Sequence, residues 1–169
     1  MNKPVKANPL SKTRALLSLE QFLPFRINHL GGRISCSLSH IYSQEFGISI
    51  PEWRILIWLN ARETLTAKEI CKLSNMDKAK VSRAVHRLAD QDYLLRIRDE
   101  EDQRTVFLSL SEQGHQLLDK LIPRALNWES ELVAGLSAQE YRDLFNIMLK
   151  LEQQLDRINA CEEQPPAKS

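Results

Sequence analysis

Apolar residues in this chain recur every three or four positions along most of its length, and the rhythm drops to two in one region only. Residues 93–98 (Tyr93-Leu94-Leu95-Arg96-Ile97-Arg98) and 104–110 (Arg104-Thr105-Val106-Phe107-Leu108-Ser109-Leu110) read as two strands. The polar stretch Asp99-Glu100-Glu101-Asp102-Gln103 joins them into a β-hairpin. One hairpin set among helices is incompatible with a sandwich or a many-stranded barrel. The 5 glycines and 7 prolines are also too few for the turns such folds need. The fold class is therefore mainly α, with a two-stranded β wing.

The helices have legible ends. A long helix is predicted from about residue 19 to 45, carrying Leu23, Ile27, Leu30, Ile34, Leu38, Ile41 and Tyr42 on one face. Pro24 lies in its first turn, Gly31 and Gly32 inside it, and Gly47 ends it. Ser49-Ile50-Pro51-Glu52 opens a second helix with Trp53, Leu56, Ile57 and Leu59 as its apolar set. Thr66-Ala67-Lys68-Glu69 is a capping box that starts a short helix through Leu73. Ser74-Asn75-Met76-Asp77 is a turn and N-cap, followed by a helix to about Ala89. After the hairpin, Ser111 caps a helix with Leu117, Leu118, Leu121 and Ile122 on one face and a kink expected at Pro123. Ser137-Ala138-Gln139-Glu140 is a second capping box, and the last helix carries Leu144, Ile147, Met148, Leu151, Leu155 and Ile158. The order helix, short helix, turn, helix, hairpin across residues 51–110 is that of a winged helix-turn-helix.

Charge adds a function. The formal net charge is only +1, which read alone argues against a nucleic-acid partner. Its distribution argues otherwise. Residues 66–98 hold 8 Lys+Arg against 4 Asp+Glu, whereas residues 105–169 hold 6 against 10. The basic block coincides with the helix-turn-helix. On a helical wheel of residues 77–89, Val81, Ala84, Val85 and Leu88 share one sector and point inward. The opposite sector holds Ala79, Arg83 and His86, flanked by Lys80, Ser82 and Arg87. Arginine can reach guanine acceptors in bidentate fashion, serine and histidine can meet base edges or phosphates, and Ala79 permits close approach. The candidate DNA-binding residues are Lys78, Lys80, Ser82, Arg83, His86 and Arg87, with Arg98 and Arg104 on the wing. Asp102 is expected to orient the wing by pairing with Arg104 or another arginine, since an oriented arginine suits a narrow minor groove.

These motifs carry a family resemblance. Lys80-Val81-Ser82-Arg83-Ala84-Val85-His86-Arg87-Leu88, Asp102-Gln103-Arg104 and Leu108-Ser109-Leu110-Ser111-Glu112-Gln113-Gly114 resemble the recognition helix, the wing and the start of the next helix in the MarR family. The resemblance spans residues of about 20–158. It implies an obligate homodimer with long N- and C-terminal dimerisation helices. It also implies a repressor released from a pseudo-palindromic operator in double-stranded DNA. The implied effector is a small aromatic or phenolic acid or its thioester. One departure stands out: the family usually has a glycine after the recognition helix, where this chain has Gln91-Asp92-Tyr93. Asp tolerates the left-handed conformation such a turn needs better than most residues do.

The expected organisation is a flexible arm (1–18), a helical dimerisation region (19–48 and 111–159), a DNA-binding lobe (49–110) and a flexible tail (160–169). The apolar stripes of the two ends exceed what a winged helix needs, and pairing them across two copies gives the symmetry a palindromic site requires. A ligand pocket is predicted from His29, Arg33 and Trp53, a cation and an aromatic wall for an aromatic acid. Cys36, Cys71 and Cys161 form no metal-ligand pair, and none matches the position of the family's peroxide-sensing cysteine. A redox-sensing repressor, or a winged-helix protein adaptor that does not bind DNA, is the alternative. His29, His40, His86 and His115 show no metalloprotease spacing, and phosphate-binding glycine loops and nucleophile elbows are absent. No enzyme, metal or cofactor is expected. Neither a signal peptide nor a membrane span is read, so a cytoplasmic protein is expected.

Overall fold

A computed structural model of the chain describes residues 17–99, 102 and 104–162, with the side chains of residues 161 and 162 excepted. Most of the expected arm (1–16), the end of the tail (163–169), residues 100, 101 and 103 of the wing tip, and the Cys161 side chain lie outside the described residues.

Among the described residues, six helices and three strands follow in the order α1 (Leu23–Phe46), α2 (Ile50–Arg62), β1 (Thr64–Thr66), α3 (Ala67–Ser74), α4 (Lys78–Asp90), β2 (Leu94–Arg98), β3 (Val106–Leu110), α5 (Glu112–Val133) and α6 (Ala138–Glu162). The helices begin and end where the local chemistry directs. Pro24 sits in the first turn of α1, and Gly47 closes that helix in the left-handed conformation at φ 67°. The Thr66 hydroxyl accepts the Glu69 N–H while the Glu69 carboxylate accepts the Thr66 N–H, a complete reciprocal cap. Asp77 caps α4 by accepting the Lys80 N–H at 2.8 Å. That bond, reinforced by the Lys80 side chain, holds the Asp77 carboxyl below its usual range. Asp92 adopts φ 58°, the left-handed turn expected of it after α4. Helix α5 runs continuously through Pro123.

The sheet departs from expectation. It has three strands, in the order β1-β3-β2, all antiparallel. The hairpin pairs Leu94 with Leu110 and Arg98 with Val106, and β1 adds a third strand with Leu65 opposite Leu108. Three residues are too short to display a period of two, and Thr66 also belongs to the α3 cap, so β1 is hidden in the sequence.

One core lies under the helix-turn-helix. Val81, Ala84, Val85 and Leu88 are buried as the wheel predicted, against Ile55, Leu56, Leu59, Ile70 and the sheet residues Leu65, Leu94, Leu108 and Leu110. Tyr42 and Ile48 enter it from one side and Leu117, Leu118 and Leu121 from the other. The core therefore reaches beyond residues 49–110 at both ends. Ile55 is fully buried while Trp53 and Ile57 are only half-buried. Helix α2 is apolar almost all round, and its sequence does not single out the buried face.

Outside this core the molecule changes character. Among the described residues of α6 none is buried, and Leu144, Ile147, Leu155 and Ile158 are each roughly half exposed. In α1, Leu23, Phe25, Ile27 and Leu30 are exposed as well. Among the described residues no helix is long and apolar enough to cross a membrane.

Candidate nucleic-acid interface

Helix α4 presents its polar face to solvent because the four core residues at 81, 84, 85 and 88 fix its rotation. Lys78, Lys80, Ser82, Arg83, His86 and Arg87 are all exposed. The alternation of β2 does the same for the wing. Leu94 points into the core, and Arg96 and Arg98, two and four residues on, share its side of the strand. The two elements meet over a groove of about 950 Å³ between α3, α4 and the wing. Lys78, Ser82 and His86 line it from α4, Arg98 and Arg96 from β2, and Lys68 from α3. Val81, Val85, Val106 and Leu108 also line it, and none of its described lining residues is acidic. Lys68 and Arg96 were not among the expected contacts, because their places on a shared groove depend on the packing of three elements.

Several side chains are already engaged. Lys80 Nζ lies 3.2 Å from Asp77, and His86 Nδ1 lies 2.8 Å from Asp90. Arg87 Nε lies 3.0 Å from Glu52 Oε1, so this arginine is tied to α2. Asp102 acts differently from expectation. Its carboxylate accepts the Arg104 backbone N–H at 3.1 Å and the Thr105 hydroxyl at 2.9 Å, and its own N–H donates to Asp99. Among the described residues no ion pair joins it to an arginine. It shapes the wing through the backbone, the ordinary use of Asp in a tight turn.

The expected ligand residues are not gathered together. Trp53 stacks on Tyr42 with ring centroids 5.5 Å apart. His29 stacks instead on Phe25 and lies roughly 20 Å along the α1 axis from Tyr42, at about 1.5 Å rise per residue. Arg33 is exposed on the same helix, between the two. Arg54 is the cation that acts on the Tyr42 phenol. Burial pushes that phenol up, and Arg54 and Ser35 pull against the shift.

A helix-turn-helix with a basic exposed second helix and a basic wing defines a winged-helix protein. Residues 46–105 match the family model described as MarR family. A MarR/EmrR family transcriptional regulator from Acinetobacter sp. ADP1 superposes with a TM-score of 0.75 at 29% identity, covering 83% of this chain and 99% of that one. A mutant MarR from E. coli complexed with operator DNA superposes at 0.69 with 20% identity, covering 80% and 99%, which is a likeness of fold. An HTH-type transcriptional regulator of Bacillus cereus is 24% identical over 124 residues, 73% of this chain and 82% of that protein. The winged-helix lobe thus carries the MarR family match, and the chain as a whole is similar to MarR-family winged helix-turn-helix transcriptional regulators.

Proposed function

We propose that this regulator is a homodimeric repressor of a pseudo-palindromic operator. Each protomer lays α4 in the major groove and the wing at residues 99–104 on the minor groove or backbone. The observation that carries the reading is the basic groove: Lys78, Ser82, His86 and Arg98 converge from two elements, with no carboxylate among its described lining residues. Lys80, Arg83 and Arg104 extend the exposed basic surface beyond it. Regulators of this family are typically non-enzymatic DNA-binding proteins.

The proposed signal is a small aromatic or phenolic acid, or its thioester, that releases the operator. The Tyr42–Trp53 stack supplies an aromatic wall, and Arg54 a cation that acts on the Tyr42 phenol; Arg33 and His29 are the further candidates along α1. The ligand favours the state in which the two α4 helices no longer match successive grooves.

A gel-shift titration tests the docking, using a duplex that the wild-type protein enriches from a randomised library. Arg83→Ala relaxes base preference at one position per half-site, by about 1–3 kcal/mol. Arg104→Ala weakens binding evenly across sequences. Wild-type affinity falls steeply with salt as counterions are released from phosphates. Unchanged affinity in both variants, or binding that ignores salt, rejects this docking and favours a protein-interaction adaptor.

A further inference from the structure

We infer that Glu52 is a positioning residue for DNA binding: from inside the protein it holds the Arg87 guanidinium against a phosphate. The inference rests on the DNA-binding reading above.

Glu52 lies on α2, away from the polar face of α4, yet its side chain is 1% exposed. Capping does not account for that burial. The Oε2 atom accepts the Ser49 N–H at 2.7 Å, its part in the capping box at the start of α2. Glu69 and Glu140 do the same capping work at α3 and α6, and both carboxylates remain in solvent. Only at α2 is the carboxylate taken out of water, at a cost in desolvation that one backbone bond offsets poorly.

The second oxygen points to the reason. Oε1 is buried and has no aligned hydrogen-bond partner, and Arg87 Nε sits 3.0 Å from it. The Arg87 side chain is 63% exposed. The arginine is therefore held at Nε from below, with the bulk of its side chain in solvent. Holding the guanidinium by one nitrogen leaves its two Nη groups to grip a phosphate as a fork. Arg87 flanks the outward sector of α4, where a phosphate next to the occupied groove would lie. Lys80 contrasts with it. Its partner Asp77 is itself 55% exposed, and a lysine offers a point charge without a preferred plane.

Two effects of removing the Glu52 charge have opposite signs. Deleting a negative charge close to DNA tightens binding if charge alone matters. Losing the orientation of Arg87 weakens it. The decisive comparison uses Glu52→Gln, Arg87→Gln, Arg87→Lys and the double variant Glu52→Gln/Arg87→Gln, each as full-length protein. Binding is read by fluorescence anisotropy on the wild-type-enriched duplex between about 50 and 200 mM KCl. Circular dichroism checks that each variant is folded.

Glu52→Gln is expected to weaken binding about tenfold. Arg87→Gln weakens it at least as much and lowers the salt slope by about one per half-site. Arg87→Lys weakens binding but retains the slope. In the Arg87→Gln background, Glu52→Gln has no further effect, because the group it positions is gone. Tighter or unchanged binding by Glu52→Gln, additive effects in the double variant, or a salt slope that Arg87→Gln leaves intact would each overturn the inference while leaving DNA binding in place. If the wild-type protein enriches no duplex, the DNA-binding reading falls and this inference falls with it.

Discussion

The winged-helix lobe and the two terminal helices obey different rules. The lobe closes on itself: helices α2–α4, three strands and the first turns of α5 bury one another's apolar side chains. Helix α6 has the same kind of apolar periodicity, but none of its described residues is buried. The N-terminal half of α1 is alike. Burying one half-exposed leucine or isoleucine returns on the order of 1 kcal/mol, so a 25-residue helix with such a stripe is incomplete as a single chain. The difference teaches where the partner belongs. DNA is the partner proposed for the lobe, and a second copy is the partner proposed for the ends.

Breaking the ends should produce the largest effect. Leu144→Asp combined with Leu155→Asp places two charges on the α6 stripe. The proposed dimer is expected to dissociate in sedimentation velocity, and operator affinity to fall by about 100-fold or more, because one half-site then binds alone. Breaking the lobe should leave assembly intact and reduce stability instead. A Cβ at Gly114 would run into the Tyr93 carbonyl oxygen, which accepts the Ser111 N–H. Gly114→Ala is therefore expected to cost about 1–3 kcal/mol in chemical denaturation, with the sedimentation coefficient unchanged. Ser111→Ala removes a buried hydroxyl that accepts the Gly114 N–H at 3.0 Å and donates to the Asp92 carbonyl. Its expected cost is about 1–2 kcal/mol in the same assay.

The smallest effect sharpens the seam between the two regions. Glu45 on α1 and Arg124 on α5 form a bidentate pair at 2.9 and 2.7 Å. The Arg124 hydrogen bond holds the Glu45 carboxyl below its usual range. Such a pair contributes above the ordinary carboxylate pKa of about 4.3, and its contribution disappears as pH falls through the lowered value. Denaturation midpoints should thus fall slightly more steeply on acidification in wild type than in Glu45→Gln.

Much of this molecule was legible beforehand because its signals are local. Caps at Thr66, Asp77, Ser111 and Ser137 and the stop at Gly47 all lie within a few residues of the helix ends they govern. The wheel at 81–88 settled the outward face of α4, since a short amphipathic helix has one answer. What escaped depends on distance. Strand β1 exists only because Leu65 meets Leu108 across the sheet. Glu52 reads as an ordinary cap, and its burial beneath α4 follows from the crossing of two helices. His29 and Trp53 belong to different aromatic stacks, a separation that residue type alone does not reveal.

Thr66 is at once the last residue of β1 and the N-cap of α3, and Ser111 ties the turn after α4 to the start of α5. Sheet, reading helix and supporting helix are stitched together at single residues with no slack between them. The base of the wing is anchored in this way to the turn after α4. In the proposed dimer the proposed effector would therefore work a caliper with stiff jaws. Acting on such jaws, it would change the span between the lobes and leave the reading surface itself unaltered.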